Sequence, residues 1–348
     1  MMHAMEHMGW NQHFAEHFKP FETTGYVPAR VTRVDRGIFT VIHKDGECVV
    51  KVTGKFQFDA TSKFEFPTVG DWVVLELETS TQSGRIHALL TRQSSLSRML
   101  SKDDNQQQTL AANVDTVLIV CGMDFDFNVR RIERALTLCY SGNVTPVILL
   151  NKIDVCDDVD QKVAQLQDIA PDVAIYPISV TQHIGLDALQ TYLSASQTIC
   201  VFGSSGVGKS SLINHLLGEE KMLVKEIRAS DSHGRHTTRH REMFSLPQGC
   251  VIIDIPGVRE VGMWTDDEDG LQTSFSDIEA LAQNCKFNDC KHAHEPGCAI
   301  KAAIDDGELE ASRMENYRDM LLEVKQAQEK KDRLAKKLER KGKGRKRR

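Results

Sequence analysis

The stretch VFGSSGVGKSS, residues 201–211, carries residue types that bind phosphate. Gly203, Gly208, Lys209 and Ser210 satisfy the pattern G-x-x-x-x-G-K-[ST], with a strand pattern before it and a helix pattern after it. Glycines let backbone N–H groups close around phosphate oxygens, the lysine adds a point charge, and the serine hydroxyl is a magnesium ligand. The remaining predicted phosphate-loop residues are Ser204, Ser205, Gly206, Val207 and Ser211.

A second motif, NKID, lies upstream of the phosphate loop and ends the apolar stretch TPVILL. Guanine has two donors, N1–H and the 2-amino group, that one carboxylate accepts together, and adenine has neither. Asp154 therefore predicts selection of guanine over adenine, with Asn151 and Lys152 beside it. The stretch PIS ends at Ser179, one strand pattern later, and is predicted to add a backbone donor for guanine O6.

The motif DIPG follows the apolar stretch CVIID, which is typical of a buried strand. A carboxylate at such a strand end, Asp254, can hold magnesium through water, and the Gly257 N–H can contact a γ-phosphate. Many GTPases have a glutamine directly after this motif, which orients the attacking water. Here the position is Val258, so we expect slow hydrolysis by the free protein and a large gain when a partner completes the site.

The segment ASDSHGRHTTRHR, residues 229–241, is predicted to be the first switch. Thr237 or Thr238 would reach the magnesium ion, and Thr238 joins Ser210 and Asp254 as the expected magnesium ligands. His236 is a candidate catalytic residue that orients the attacking water, together with Lys209 and Thr238. Contact with RNA, or no contact at all, remains open for His236.

The motifs run in an unusual order along the chain: guanine reader, base-supporting loop, phosphate loop, switch, DIPG. This is the usual GTPase order rotated. Chain ends of such a domain commonly lie close together, so they can be joined while new ends open elsewhere. The order therefore predicts a circularly permuted α/β domain. Apolar strand patterns that alternate with helix patterns between residues 115 and 257 agree with it.

A cysteine cluster follows this region, with Cys285, Cys290 and Cys298 inside fourteen residues. Together with His292, or alternatively His294, it predicts a structural zinc site, because four tetrahedral ligands leave no open position. Buried or redox-active cysteines are the alternative. A catalytic zinc is not expected, because no carboxylate that could activate water is evident.

The residues before these motifs show a different hydrophobic pattern. From Val27 to about Arg98, period-two alternation and β-branched residues predict a small antiparallel barrel, with the OB-fold as leading candidate. Such a barrel either binds oligonucleotides or is a passive spacer. The stretch at residues 95–113 is interpreted as a polar linker.

The N-terminal 26 residues carry the pairs His3/His7 and His13/His17, each one helical turn apart. Such pairs can bind metal. Trp10, Phe14 and Phe18 share the helical spacing, however, and this favours a short amphipathic arm that packs on another element.

Composition is that of a soluble globular protein of 348 residues, with 41% apolar and 26% charged residues. No apolar run reaches a membrane span and no signal-peptide plan opens the sequence, so a cytoplasmic location is expected. The net charge is −6, yet residues 330–348 hold twelve Lys/Arg and two Asp/Glu. This basic tail is interpreted either as solvated and disordered or as an electrostatic arm for RNA.

These motifs, with AANVD at 111–115, GRHTTR at 234–239 and EPGC at 295–298, closely resemble the circularly permuted ribosome-assembly GTPases of the RsgA type over nearly the whole chain. The resemblance implies GTP hydrolysis stimulated by the small ribosomal subunit, contact with its 16S-type rRNA, a role in late maturation, and Mg²⁺ with GTP. It also assigns His292 as the fourth ligand of one structural Zn²⁺. A monomer is expected.

The resulting architecture is a multidomain chain: an N-terminal OB-fold barrel, a central circularly permuted P-loop GTPase domain, and a C-terminal zinc-binding module with a helical extension. The expected bounds are 1–26 for the arm, 27–100 for the barrel, 101–268 for the GTPase domain, 269–320 for the zinc module and 321–348 for the basic helical tail. Two rival functions stay open: an RNA-binding assembly module that uses GTP only as a structural ligand, and a P-loop small-molecule kinase.

Overall fold

The computed structural model describes residues 3–60, 62–78, 83–99, 107–124, 126–222, 241–255 and 268–345. The helices are α1 (His3–Glu6), α2 (Gln12–Phe18), α3 (Gly54–Asp59), α4 (Val129–Ser141), α5 (Val159–Ile169), α6 (Lys209–Leu217), α7 (Glu268–Ser274), α8 (Ser276–Ala282), α9 (Ala299–Asp305) and α10 (Ala311–Arg345). The strands are β1 (Val27–Asp35), β2 (Ile38–His43), β3 (Gly46–Val52), β4 (Trp72–Leu77), β5 (Ser83–Leu89), β6 (Ser95–Met99), β7 (Gln107–Ala112), β8 (Thr116–Gly122), β9 (Thr145–Asn151), β10 (Ala174–Ile178), β11 (Thr198–Phe202), β12 (Arg241–Ser245) and β13 (Val251–Asp254). None of these helices combines the length and apolar character that a transmembrane segment requires.

Strands β1 to β5 close into a barrel. β1 pairs antiparallel with both β2 and β4, β2 pairs with β3, β3 runs parallel to β5, and β5 pairs with β4. Burial alternates along β3, where Cys48 and Val50 are buried while Val49 and Lys51 are exposed. The buried side chains fill the interior: Ala29, Val31, Phe39, Val41, Val73, Leu75 and Ile86. The predicted N-terminal barrel is thereby confirmed.

The central sheet has the order β10-β9-β8-β11-β13-β12, in which all neighbours are parallel except β12 and β13. Both faces are covered. Val117 and Ile119 of β8 enter one buried cluster, whereas Leu118 and Val120 enter another. Because alternate strand residues face opposite sides, the continuous apolar run of β8 is the expected pattern for such a strand.

The order of the strands shows where the direction of winding reverses. Strands β8, β9 and β10 come before β11 in the chain and lie on one side of it, whereas β12 and β13 follow and lie on the other side. The direction of winding therefore reverses between β8 and β11. In open α/β sheets this is where ligands bind, outside the carboxyl ends of the strands. The predicted α/β domain with a buried, mostly parallel sheet is confirmed.

The barrel and the central sheet are joined edge to edge. β1 pairs antiparallel with β12, with Arg33 opposite Glu242 and Val34 opposite Arg241. β12, the strand that follows the predicted first switch, therefore lies directly against the barrel. A change in the position of β12 would displace β1, its hydrogen-bonded neighbour.

A buried arginine fixes the same junction. The Arg30 guanidinium donates to the carbonyls of Met8, Gly70 (3.1 Å) and Asn113 (3.1 Å) and to Thr198 Oγ1 (2.9 Å). Burial lowers the pKa of Arg30 to about 10, still well above neutral pH. The arm, the barrel and the first residue of β11 are thus held by one cation.

Residues 95–113 do not form a linker throughout. β6 and β7 pair antiparallel, with Ser95 opposite Ala112 and Met99 opposite Gln107, and Leu96 and Leu110 are buried. The linker interpretation is wrong here. It gave weight to the polar residues at the centre of the segment, whereas the apolar residues near its two ends form the paired strands.

The N-terminal arm packs on the barrel, as its aromatic spacing predicts. Phe14 is 1% exposed, and the Trp10 ring centroid lies 4.8 Å from that of Trp72. The second histidine pair bonds to carbonyls: His13 Nε2 lies 2.9 Å from Thr91 O, and His17 Nδ1 lies 2.8 Å from His13 O.

The C-terminal helices dock on α4 of the central α/β domain. Glu133 of α4, 1% exposed, accepts from Arg313 and from Asn316 Nδ2 (2.5 Å), and Arg313 Nη2 also donates to Asp277 Oδ1 (2.7 Å). Burial raises the pKa of Glu133, and the charge of Arg313 opposes that rise. The expected boundary between residues 320 and 321 falls inside α10, which continues from Ala311 to Arg345.

Candidate nucleotide-binding site and metal cluster

The phosphate loop connects β11 to α6, the context that its motif requires. Gly208 has φ = 99°, and a Cβ there would collide with the side-chain amide of Asn151. A Cβ on Gly203 would collide with the Val120 carbonyl of the neighbouring strand. The two glycines are therefore needed both for the turn and for its close approach to β8 and β9.

Lys209 is held in position by the loop itself. Its ammonium donates to the carbonyls of Gly203 (2.8 Å) and Ser204 (2.5 Å). An ammonium has three donors, so one donor remains after these two bonds. Burial lowers the pKa of Lys209, and the carboxylates of Asp254 and Asp126 oppose that effect.

Asn151 joins the guanine-reading motif to the phosphate loop. It ends β9, is 3% exposed, and donates from Nδ2 to Val207 O at 2.8 Å. Its Oδ1 accepts from the Val180 N–H at 3.1 Å. Both ends of the amide are used, so Asn151 holds β9, the phosphate loop and the segment after β10 together.

Lys152 lies in the left-handed region, with φ = 72°. Its Nζ is 2.5 Å from Asp124 Oδ2, and the neighbouring Met123 N–H donates to Asn151 O at 2.8 Å. The loop after β8 therefore borders the guanine-reading motif, and Asp124 orients the lysine side chain.

Asp154 and Ser179 are brought together as a pair. The Ser179 hydroxyl, fully buried, donates to Asp154 Oδ1 at 2.5 Å, while the Asp154 residue itself is exposed and open to a ligand. The Ser179 N–H donates to Ile184 O at 3.0 Å in an isolated β-bridge. Ser179 therefore does not offer the predicted backbone donor for guanine O6; its hydroxyl positions Asp154 instead.

The third motif reaches the same edge of the sheet. Asp254 is 3% exposed, ends β13, and lies opposite Val201 of β11. Ser210 and Ser211 follow Lys209 in the first turn of α6. His236, Thr237, Thr238, Gly257 and Val258 lie outside the described residues.

Three residues that the motifs did not identify also border the site: Asp124, Asp126 and Arg131. They come from the loop after β8 and the first turn of α4. Their position after β8 could have identified them. β8 is next to β11, and the carboxyl ends of both strands border the same crevice.

The four predicted metal ligands are brought together. The ligand atoms of Cys285, Cys290, His292 and Cys298 all lie within 4.8 Å of one another. His292 Nδ1 is 3.5 Å from Cys285 Sγ and 3.6 Å from Cys298 Sγ. Tetrahedral zinc with bonds of about 2.3 Å to sulfur and about 2.0–2.1 Å to nitrogen separates its ligands by roughly this distance. The Cys3His donor set is therefore compatible with a structural zinc ion.

Glu295 stabilises the loop between these ligands. Its carboxylate accepts from the N–H groups of Lys291 (3.1 Å), Ala293 (2.8 Å) and His294 (3.0 Å). Backbone N–H donors, its own first, lower the pKa of Glu295 to about 2. His294 is not one of the four clustered ligands, in agreement with the assignment of His292.

The phosphate loop after β11, the guanine-reading motif after β9 and the position of that motif before the phosphate loop in the chain define a circularly permuted GTPase. The family model described as RsgA GTPase matches residues 89–264. A second model, described as 50S ribosome-binding GTPase, matches residues 198–343. The chain belongs to the RsgA GTPase family and is a GTP-hydrolysing enzyme.

Individual relatives agree. The small ribosomal subunit biogenesis GTPase RsgA of Syntrophotalea carbinolica is 40% identical, covering 93% of this chain and 90% of its own. The crystal structure of YjeQ from Thermotoga maritima is 27% identical, covers 86% of this chain and 98% of its own, and superposes with a TM-score of 0.61. YloQ, described as a circularly permuted GTPase, is 24% identical and covers 88% of this chain and 97% of its own, with a TM-score of 0.57, and shows the fold.

Proposed function

We propose that the chain is a GTPase of small ribosomal subunit biogenesis: the GTP form docks on the maturing subunit, and hydrolysis stimulated by the subunit releases it. The observation that carries the proposal is the joining of the guanine-reading motif and the phosphate loop through Asn151, which brings base-reading and phosphate-binding residues into one site. The family membership and the names of its relatives support the choice of subunit.

The nucleotide would be held at both ends of this site. Asp154 accepts from guanine N1–H and the 2-amino group, with Asn151, Lys152 and Ser179 around it. The phosphate loop, residues 203–211, surrounds the phosphates, and Lys209 contacts them through its remaining donor. Magnesium neutralises charge on the β- and γ-phosphates. Its protein ligands would be Ser210, Thr238 and Asp254, the last through water.

Hydrolysis needs an oriented water, and Val258 cannot provide that orientation. We therefore propose His236 as the water-orienting residue, with Thr237 and Gly257 as further nucleotide contacts. The predicted first switch precedes β12, and β12 pairs with β1 of the barrel. A partner bound to the barrel would thus contact a sheet whose β1 pairs directly with β12, the strand that follows the switch. This pairing supports stimulation of hydrolysis by the subunit.

The barrel is proposed to be an OB-fold that contacts 16S-type rRNA. The pairing order β1-β2-β3-β5-β4-β1, with β3 parallel to β5, supports this assignment because it closes five strands into the barrel that the OB-fold describes. The basic tail, residues 330–348, would add a second, electrostatic contact with RNA.

The Cys3His cluster is proposed to hold one structural Zn²⁺ through Cys285, Cys290, His292 and Cys298. Bound zinc supplies folding free energy to its module, and its closed ligand set leaves no position for a substrate. The separations between the ligand atoms support this role.

Val258 favours a second candidate, an RNA-binding assembly module in which GTP is only a structural ligand. In that case the site would bind GTP without using its hydrolysis, and turnover would stay low whatever partner is added.

Cosedimentation with purified ribosomal subunits tests the choice of partner. The full chain is expected to pellet with small subunits in a non-hydrolysable GTP analogue, less so in GDP, and not with large subunits. Lys209→Ala should lose the nucleotide dependence. Lys221→Ala is the matched control, because that lysine is 52% exposed and its ion pair with Glu219 lies at the surface.

Equal pelleting with large subunits would contradict the proposed partner. Pelleting that is the same with the GTP analogue, with GDP and without nucleotide would contradict a GTP-dependent docking step.

A further inference from the structure

Arg131 lies in the first turn of α4 and reaches the phosphate loop. Asn128 caps this helix and accepts from the Arg131 N–H at 3.0 Å, which fixes the backbone from which the side chain leaves. The Arg131 guanidinium donates through Nη1 to Ser204 Oγ and to Asp126 Oδ1, the latter at 2.5 Å.

Ser204 is therefore held by two cations at two different groups. Its carbonyl accepts from Lys209 at 2.5 Å, and its hydroxyl accepts from Arg131. Ser204 is 8% exposed, so neither contact is easily replaced by water. The position of the first turn of the phosphate loop depends on both side chains.

The neighbouring arginines of α4 have other partners. Arg130 Nη2 pairs with Glu315 at 2.8 Å and Arg134 Nη1 with Glu323 at 2.7 Å, both on α10. Arg131 is the arginine in this turn whose contacts, among the described residues, lie on the nucleotide side. A guanidinium has five donors in a planar fork, and the two contacts to Ser204 and Asp126 use only part of them.

We propose that Arg131 is a positioning residue for nucleotide binding: it fixes the phosphate loop through the Ser204 hydroxyl and adds positive charge to the phosphate side of the site, with Asp126 orienting its guanidinium. Because Arg131 is 41% exposed and its pair with Asp126 is near the surface, its contribution to the stability of the nucleotide-free fold is small. Its main effect is on the affinity for the nucleotide.

The test is the affinity for GMP, GDP and GTP of four variants, measured on the full chain without ribosomal subunits. Arg131→Gln and Ser204→Ala are each expected to weaken GDP and GTP about tenfold, the usual loss for a hydrogen bond to a charged group. The double variant should lose no more than about the larger single loss, since both changes break one contact. Arg130→Gln, an equally charged neighbour on the same turn, should bind as the unchanged protein does.

The nucleotide series separates this role from a structural one. The loss in Arg131→Gln is expected to be much smaller for GMP, which lacks the β-phosphate, and its nucleotide-free melting temperature should match that of Arg130→Gln. The proposal is overturned if Arg131→Gln binds GDP as Arg130→Gln does, if GMP and GDP weaken equally, or if the two single losses multiply in the double variant. None of these outcomes depends on the ribosomal partner.

Discussion

An Asp154→Asn variant is expected to lose at least about a hundredfold in affinity for GTP and to gain affinity for XTP. The carboxylate offers two acceptors, which match the N1–H and 2-amino donors of guanine. An amide offers one acceptor and one donor, so its NH2 group faces the guanine amino group without a partner. Xanthine has a carbonyl at that position and accepts from the amide instead.

The structure keeps this substitution local. The Ser179 hydroxyl donates to Asp154 Oδ1 at 2.5 Å, and an amide oxygen accepts the same bond. Asp158→Asn is the matched control, because Asp158 lies four residues on and is exposed, with Lys162 Nζ 2.9 Å away. Competition binding with GTP, XTP and ATP measures the effect. Retained GTP affinity in Asp154→Asn, or the same loss in Asp158→Asn, would mean that Asp154 does not read the base.

Removal of the proposed zinc ion from the Cys3His cluster is expected to unfold the C-terminal module while GDP binding persists. Structural zinc contributes an apparent binding free energy of about 10–16 kcal/mol in small zinc modules, more than the hydrophobic core of such a module supplies. That core, with Phe275, Ile300 and Met320, is a cluster separate from the two that flank the central sheet. The nucleotide site should therefore survive.

Cys298→Ser, or treatment with a strong chelator, tests this directly. Metal content should fall from one ion per chain, and amide hydrogen exchange should rise across residues 268–345, with GDP affinity changed less than threefold. Cys156→Ser, a half-buried thiol outside the cluster, is the control. A Cys298→Ser protein that keeps its metal and its protection, or that loses GDP binding as well, would contradict a purely structural module.

Much of the site was predictable because its chemistry is local in sequence. The phosphate loop fits a strand, a glycine turn and a helix start within eleven residues, and each part can be recognised on its own. Asp154 follows from the two donors of guanine in the same way. The Cys3His cluster needs only spacing and ligand type, and the structure places its four ligand atoms together.

Contacts between distant segments could not be predicted. Arg30 looks like any strand arginine, and only the fold places it beside carbonyls from Met8 to Asn113. Glu133 and Arg313 are each typical helix-surface residues until α10 docks on α4 and buries both. Arg131 is hidden in the same way, since nothing in VRRIER distinguishes the arginine that faces the phosphate loop from those that face α10.

The Ser179 error has a more specific cause. A strand that ends in PIS correctly predicts a segment beside Asp154, but the sequence does not reveal that the chain turns back at Ile184 and that Ile184 O accepts from the Ser179 N–H. Ser179 therefore contributes to the site through its hydroxyl, which donates to Asp154, and not through its backbone N–H.

The most direct test of the whole account is phosphate release from GTP and from ATP, with and without purified small ribosomal subunits, with large subunits and Lys209→Ala as controls. We expect slow release from GTP alone, strong stimulation by small subunits only, no release from ATP, and loss of all stimulation in Lys209→Ala. His236→Ala should bind GTP but lose most of the stimulated rate. Turnover that small subunits leave unchanged would contradict the account and identify a module that binds GTP without using its hydrolysis.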